Sequence, residues 1–223
     1  MINKYTYLRG HTKFVDNIIH KKRLEIISII KENLISPNFK DILDIGTTVD
    51  TSNSSNLIIK NLKNFKSYKS ISNQKITSNL FTKKLQKSIT QDFSLNELET
   101  FRSDVVISNA TIEHVGDFNN QKKMIQNIIL LTKKYFIITT PNRFHPIDFH
   151  TKLPFLHWFP KNIHRRILKI LKLDFFSREE NLNLLGKNEL KNLLTVGGAK
   201  NYKIFDISFL GFKSNYIVIG KTN

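Results

Sequence analysis

Short apolar runs alternate with segments of helical periodicity along this chain, and this alternation constrains its fold more than any other feature. The runs of strand length cover residues 41–46, 87–90, 104–108 and 135–139, and a helical pattern at 121–133 joins the last two. Strands that alternate with helices pair into a parallel sheet whose faces the helices cover. The sequence therefore predicts an α/β fold built on a mostly parallel sheet.

The two ends of the chain add elements of a different kind. Apolar residues recur at mostly helical spacing from 13 to 34, which predicts a leading amphipathic helix that Pro37 ends. Near the other end, residues 202–209 and 215–219 have the composition of strands and are close enough to form an antiparallel hairpin. A mostly parallel sheet with such an ending differs from a dinucleotide-binding fold, whose sheet is parallel throughout.

The length and the absence of internal punctuation favour one domain. The chain has 223 residues, a normal size for one α/β domain, and neither a repeat nor a Pro- or Gly-rich linker divides it. We expect a single domain over 1–223 with a helical segment at 1–40. Residues 141–195 begin as a long irregular stretch rich in aromatic residues, and this composition predicts a lid on the substrate side.

The formal net charge of +17 raises nucleic acid or an anionic membrane surface as a partner. The basic residues are scattered among abundant Lys, Asn and Ile, however, and a compositional bias of the source genome explains the same pattern. Cysteine is absent, which excludes disulfides, thiolate metal sites and a cysteine nucleophile and suits a reducing cytoplasm. No apolar stretch approaches the roughly 20 residues of a membrane span, so we expect a soluble, cytoplasmic protein.

Residues that directly follow the predicted strands are the candidates for ligand binding, because open α/β sheets bind ligands beyond the carboxyl ends of their strands. The first strand leads into Asp44, Gly46 and Thr47. Glycine lets the backbone approach a ligand and a carboxylate can meet a cationic amine, although an ordinary strand-to-turn transition explains the same residues. Asp92 follows the predicted strand at 87–90, where it either accepts a hydrogen bond from an adenine amine or caps the next helix.

The group richest in polar and ionisable residues follows the predicted strand at 104–108 and contains Asn109, Ala110, Glu113 and His114. His114 is either a catalytic base near neutral pH or a half-buried histidine that fixes the loop. Glu113 can bind a cation or orient a donor. Adjacent residues on a helix do not face each other, so the two need not act as a pair.

The predicted lid carries four histidines, His145, His150, His157 and His164. Their spacings match no compact ligand motif, so the sequence predicts no metal site. Residues 163–172 combine apolar and basic side chains at helical intervals. Such a helix either lies on an anionic membrane or packs its apolar face on the core.

Three segments of the chain resemble class I S-adenosylmethionine-dependent methyltransferases of the broad type-11 group: ILDIGTTVDTSNSSN, SNATIEHVGDFNNQ and TTPNRFHPIDFHTKLPFLHWFP. With residues 175–194, the resemblance spans about 41–194 and points to a subgroup whose first motif is poor in glycine. It implies a three-layer, Rossmann-like methyltransferase fold with a mostly parallel seven-stranded sheet and an antiparallel C-terminal strand. It also implies S-adenosylmethionine as the cofactor.

The resemblance carries over to individual cofactor-binding positions, with Thr47 at the methionine end and Asp92 at the adenine. These positions are Asp44, Gly46, Thr47, Asp92, Asn109 and Ala110. At the end of its second strand, which the resemblance places at residues 70–73 of this chain, the family has an acidic residue that holds the ribose hydroxyls. This chain has Asn73 there, which can still form a hydrogen bond to a hydroxyl.

The implied reaction is methyl transfer to a small-molecule, sugar or lipid-linked acceptor, for example in surface polysaccharide assembly. The candidates on the acceptor side are Glu113 and His114 as catalytic residues and Asn142, Arg143, His145 and His150 as acceptor-binding residues. A nucleic-acid methyltransferase is disfavoured, because the chain has neither an Asn-Pro-Pro-aromatic tetrapeptide nor a cysteine. A non-catalytic relative that keeps the fold and a peripheral contact with a membrane are the remaining alternatives.

Overall fold

The computed structural model describes residues 13–34, 38–49 and 56–222, and the side chains of the first helix from His20 onward. Its strands are β1 (Asp41–Ile45), β2 (Ser67–Ser72), β3 (Lys83–Gln86), β4 (Ser103–Asn109), β5 (Thr132–Pro141), β6 (Asn201–Phe209) and β7 (Phe212–Lys221). Its α-helices are α1 (Lys13–Asn33), α2 (Leu57–Asn61), α3 (Leu95–Phe101), α4 (Phe118–Leu131), α5 (Lys161–Ile170), α6 (Asp174–Ser177) and α7 (Lys187–Val196).

The strands form one sheet in the order β3-β2-β1-β4-β5-β7-β6. Neighbouring strands from β3 to β5 are parallel, whereas β7 runs antiparallel to both β5 and β6. Within the described residues β7 is thus the one reversed strand, and the predicted fold class is confirmed. The strand order changes direction between β1 and β4, which is where sheets of this kind bind ligands.

Helices cover both faces of the sheet, because alternate strand residues point to opposite faces. On β4, Val106 joins a core that includes residues of α4 and α7, whereas Val105 and Ile107 join a core that includes residues of α1 and α2. The result is the predicted three-layer arrangement. A smaller apolar cluster holds α5 and α6 and consists of Leu168, Phe176, Leu182 and Leu184.

Most of the predicted elements are present, including the leading helix, the helix before β5 and the C-terminal hairpin. The predicted strand at 87–90 is wrong, because the third strand lies four residues earlier, at Lys83–Gln86. Its side chains are polar and mostly exposed, so this edge strand has no apolar run to reveal it. Residues 88–90 instead form a turn in which the Ser88 and Thr90 hydroxyls share a hydrogen bond of 2.8 Å. Pro37 lies outside the described residues.

The helix after β3 begins two residues later than an Asp92 cap would place it. Ser94 is the N-cap of α3, and its hydroxyl accepts a hydrogen bond from the Glu97 backbone N–H. The Glu97 carboxylate in turn accepts one from the Ser94 N–H, which completes a capping box. The alternative in which Asp92 caps this helix is therefore wrong.

Candidate active site

A network of buried hydroxyls surrounds Asp44 at the end of β1. The Asp44 carboxylate is 6% exposed and accepts a hydrogen bond of 2.6 Å from Thr47 Oγ1. Ser70 Oγ donates to Thr47 Oγ1 at 2.9 Å, and Ser72 Oγ donates to the Thr47 carbonyl at 2.8 Å. Burial raises the pKa of Asp44 to about 6, and the hydrogen bond from Thr47 opposes part of that rise. The turn after β1 is thus held in place by side chains of the neighbouring strand β2.

Gly46 brings the backbone of this turn into close contact with the loop after β4. It has φ +82°, and a Cβ atom at this position would lie 2.2 Å from Thr111 Oγ1. β1 and β4 are neighbours in the sheet, with Ile45 paired to Ser108. Only glycine fits here without displacing Thr111. The first motif keeps the one glycine that its backbone geometry requires.

Asn109 and Ala110 stand at the end of β4, beside the Gly46 turn. Asn109 Oδ1 accepts a hydrogen bond of 2.5 Å from Thr139 Oγ1, and both Asn109 and Ala110 are exposed. Ala110 has φ +50°, a left-handed conformation that residues with a Cβ rarely adopt. Its N–H is held by the Thr139 carbonyl at 2.9 Å. Backbone conformations of this kind are concentrated at ligand-binding sites.

Asn73 and Asp92 follow β2 and β3, and both strands run parallel to β1. Asn73 directly follows β2 and is exposed. Asp92 follows β3 by six residues, and its 90% exposed side chain forms an ion pair with Lys123 of α4. The hydrogen bond and the charge of Lys123 lower the pKa of Asp92. The structure therefore joins Asp44 to Thr47 by a hydrogen bond, whereas Asp92 is paired with Lys123.

The second polar cluster combines Glu113, His114 and His150. The two histidine Nε2 atoms are 3.1 Å apart, and Glu113 Oε1 lies 4.0 Å from His114 Nε2 and 3.9 Å from His150 Nε2. Glu113 and His114 belong to a 3₁₀ turn just after β4, whereas His150 comes from the irregular segment after β5. The sequence assigned these residues to catalysis and to acceptor binding, and the fold brings all three together.

Buried partners fix the orientation of each member of this cluster. Glu113 is fully buried, and its Oε2 accepts a hydrogen bond of 2.9 Å from Thr140 Oγ1. His114 Nδ1 lies 2.6 Å from the Asn181 carbonyl, and His150 Nδ1 lies 3.3 Å from Asp148 Oδ1. Because carbonyl and carboxylate oxygens accept, both Nδ1 atoms are donors. Each imidazole therefore turns its Nε2 atom toward the other and toward Glu113.

Burial dominates the protonation of these groups. It raises the pKa of Glu113, and the positive charge of His150 opposes the rise. Burial, followed by the charge of His150, lowers the pKa of His114 to about 3. Asp148 shows the opposite balance, because the hydrogen bond and charge of His150 outweigh its burial and hold its pKa below the ordinary range. His114 is thus neutral at physiological pH.

Three of the four predicted acceptor-binding residues instead hold together the segment after β5 that the sequence predicts to be a lid. Asn142 Nδ2 donates to the Lys213 carbonyl at 2.8 Å, which ties the segment to β7. Arg143 donates to the carbonyls of His157 and Phe159 at 3.1 and 2.8 Å. His145 is 1% exposed and stacks on Phe149, with ring centroids 4.7 Å apart. Their contribution to acceptor binding stays a prediction, whereas their structural contacts are direct.

The residues that orient this second cluster are not evident from the sequence. Asp148, Thr140 and Asn181 each supply one contact from a different segment, and no spacing pattern relates them to positions 113 and 114. The only local signal is that Asp148 and His150 are two residues apart. A carboxylate that close to a histidine is common on surfaces, so the signal has little weight by itself.

The strand order with one reversed strand at β7 is the fold of class I S-adenosylmethionine-dependent methyltransferases. Neither the comparison with known protein families nor the comparison with curated proteins finds a match to this sequence. Solved structures with this fold do match over most of the chain, at 9–14% identity. The predicted resemblance is therefore confirmed at the level of the fold, and the type-11 subgroup stays a prediction.

Three solved structures illustrate the match. Magnesium protoporphyrin IX methyltransferase from Synechocystis PCC 6803 with bound S-adenosylhomocysteine has a TM-score of 0.56 at 14% identity, over 97% of this chain and 90% of that one. The N-methyltransferase NodS from Bradyrhizobium japonicum WM9 has a TM-score of 0.55 at 9% identity, over 93% and 98%. The methyltransferase domain of a bacterial Hen1 protein has a TM-score of 0.53 at 12% identity, over 91% and 99%.

Proposed function

We propose that this protein is an S-adenosylmethionine-dependent methyltransferase that acts on a small-molecule acceptor. The observation that carries the proposal is the Gly46 turn, where the backbone lies against the β4 loop at the point where the strand order reverses. Solved structures of the same fold contain S-adenosylmethionine or S-adenosylhomocysteine. This chain retains the glycine and the buried carboxylate that such a cofactor requires at the end of the first strand.

The cofactor-binding residues divide along the length of the ligand. Asp44 receives the cationic amino group, directly or through backbone N–H groups that it holds, while Gly46 and Thr47 line the methionine end. Asn73 binds a ribose hydroxyl in place of a carboxylate. Asp92 accepts the adenine amine once it releases Lys123, and its exposure leaves it free to do so. Asn109 and Ala110 at the end of β4 complete the set of cofactor-binding residues.

The acceptor side begins three residues beyond Ala110, at Glu113 and His114. Methyl transfer is an in-line displacement at a sulfonium carbon, so positioning supplies much of the catalysis and a base is needed only when the acceptor must lose a proton. His114 has the neutral form that such a base requires. His150 faces it at 3.1 Å and completes the polar end of the acceptor site.

A lipid-linked sugar acceptor is the finer form of this proposal, with surface polysaccharide assembly as one setting by analogy. Its support is an exposed apolar surface on the lid, made of Phe155, Trp158, Phe159, Ile163, Ile170 and Leu171. The exposed basic residues Arg166, Lys169 and Lys172 lie on or next to the same helix, α5. Apolar and basic side chains in this combination favour the surface of an anionic membrane, here on the expected cytoplasmic side. No helix among the described residues is long and apolar enough to cross a membrane.

A second candidate function is that of a non-catalytic binding protein that retains the methyltransferase fold. It is favoured by the end of β2, where Ser72 and Asn73 replace the acidic residue that holds the ribose in the family. Weak or absent binding of the cofactor is the expected property of such a relative.

The test is calorimetric titration of the purified protein with S-adenosylmethionine. We expect micromolar binding by the wild type, at least tenfold weaker binding by Asp44→Asn, and unchanged binding by Asp206→Asn on the distant edge strand β6. Wild-type binding without methyl transfer to any sugar or lipid-linked acceptor would favour the second candidate. No heat of binding in the wild type would refute the methyltransferase function and favour the second candidate.

A further inference from the structure

We propose that Glu113, His114 and His150 form a binding site for a divalent transition-metal ion. Their ligand atoms all lie within 4.8 Å of one another and offer two imidazole nitrogens and one carboxylate oxygen. Bonds of 2.0–2.2 Å to a shared ion place ligand atoms roughly 3.0–3.5 Å apart. The two Nε2 atoms already have this spacing at 3.1 Å, and Glu113 Oε1 must approach by about 0.5 Å.

The Glu113 carboxylate points to a ligand independently of the histidines. Its side chain is fully buried, Oε2 is held by Thr140, and Oε1 accepts no hydrogen bond from any part of the chain that the structure describes. A buried carboxylate oxygen without a partner is costly, because it has lost water and gained nothing in return. Since Oε1 is the atom that faces both imidazoles, a cation between the three groups satisfies it.

The orientation of the histidines gives the second reason. His114 Nδ1 donates to the Asn181 carbonyl and His150 Nδ1 donates to Asp148, so the two Nε2 atoms face each other across 3.1 Å. A metal ion between two acceptor nitrogens at this distance removes the repulsion between their lone pairs. Metal-binding histidines characteristically donate their second ring nitrogen to a carbonyl or a carboxylate, which fixes the tautomer.

The ligand set indicates the type of ion. Two imidazoles and one carboxylate are the ligands of catalytic zinc sites and of non-haem iron sites, and both kinds keep positions open for water or substrate. Mg²⁺ and Ca²⁺ prefer sites made of oxygen ligands alone. We therefore assign the site to Zn²⁺ or another first-row ion, held by residues from two segments that only the fold brings together.

The site lies beside the proposed cofactor position, because Glu113 follows Ala110 by three residues. An open coordination position can there hold an oxygen atom of the acceptor and favour loss of its proton. This role rests on the proposed function, whereas metal binding itself does not. The two can be tested separately, since the metal can be titrated without S-adenosylmethionine.

The experiment is titration of chelator-treated full-length protein with Co²⁺, followed by its visible absorption, and competition with Zn²⁺. We expect one Co²⁺ per chain with absorption bands of nitrogen and oxygen ligation, and displacement by Zn²⁺. Asp148→Asn removes a contact that orients a ligand and should weaken binding by about 10–100-fold. Glu113→Gln removes a ligand but keeps the shape of the side chain, so it should weaken binding at least ~100-fold. Circular dichroism checks that both variants fold.

His20→Ala is the matched control, because His20 is an exposed histidine on α1. It should leave affinity and spectrum unchanged. Binding that is lost in His20→Ala, or that is equal in wild type, Glu113→Gln and Asp148→Asn, would identify surface histidines as the ligands and overturn the site. Absence of Co²⁺ binding in the wild type would overturn it as well.

Discussion

Replacing Asp44 by asparagine should stabilise the folded protein at neutral pH while it weakens cofactor binding. Burial raises the pKa of this carboxyl from 3.8 to about 6, so the folded chain holds a proton that the unfolded chain has already released. Stability therefore falls as pH rises from about 4 to 6. Above that range the charged carboxylate costs about 3 kcal/mol, at ~1.4 kcal/mol per pH unit.

Asparagine removes this cost because it cannot ionise. Its side-chain oxygen can still accept the hydrogen bond of 2.6 Å from Thr47. Relative to the wild type, Asp44→Asn should raise the free energy of unfolding by about 3 kcal/mol at pH 8, by roughly half as much at pH 5, and by almost nothing below pH 4.

Urea unfolding of both proteins between pH 4 and 8 measures this difference, and Asp206→Asn provides a control of opposite sign. Desolvation of Asp206 is outweighed by hydrogen bonds and charge from Lys187 and Lys213, so its pKa is lowered. Its stabilising effect is present above the unfolded pKa and is lost as pH falls, so Asp206→Asn should destabilise the protein most at high pH. An Asp44→Asn protein that is no more stable than the wild type at pH 8, or whose gain does not depend on pH, would refute the explanation by burial.

Three further substitutions test separate parts of the structure. Gly46→Ala should lower the free energy of unfolding by at least ~2 kcal/mol, because a left-handed conformation costs roughly 1–2 kcal/mol and the added methyl group meets Thr111. Unchanged unfolding in urea would contradict the close approach of Gly46 to Thr111. Arg143→Lys should destabilise the folded protein by about 1.5–3 kcal/mol, because the hydrogen bonds to the carbonyls of His157 and Phe159 are lost. A loss of activity at unchanged stability would instead support a role of Arg143 in acceptor binding. Ile170→Ser should reduce co-sedimentation with anionic vesicles roughly tenfold, since burying this side chain is worth about 1.5–3 kcal/mol. The control Val196→Ser changes an exposed apolar residue on α7 and should have no effect. Equal vesicle binding by both variants would exclude the α5 surface as the membrane contact.

The sequence alone determined the layers of the fold and the edge at which ligands bind. Apolar runs such as 104–108 are buried on both faces, so their periodicity reports directly on the sheet, and parallel strands place their carboxyl ends at one edge. This local rule was sufficient to select Asp44, Gly46 and Asn109 as site candidates. It failed at β3, because the polar side chains of Lys83–Gln86 lie on an exposed edge strand and carry no burial signal.

Only the tertiary structure decided which of the candidate residues meet. His114 and His150 are 36 residues apart in sequence, and the contact between them depends on how the segment after β5 folds back over the end of β4. Arg143 and His145 have the same residue types as ligand-binding groups, yet hydrogen bonding and burial make them supports of that segment. Residue type and spacing describe chemistry that is available locally, whereas the packing of distant irregular segments sets where that chemistry converges.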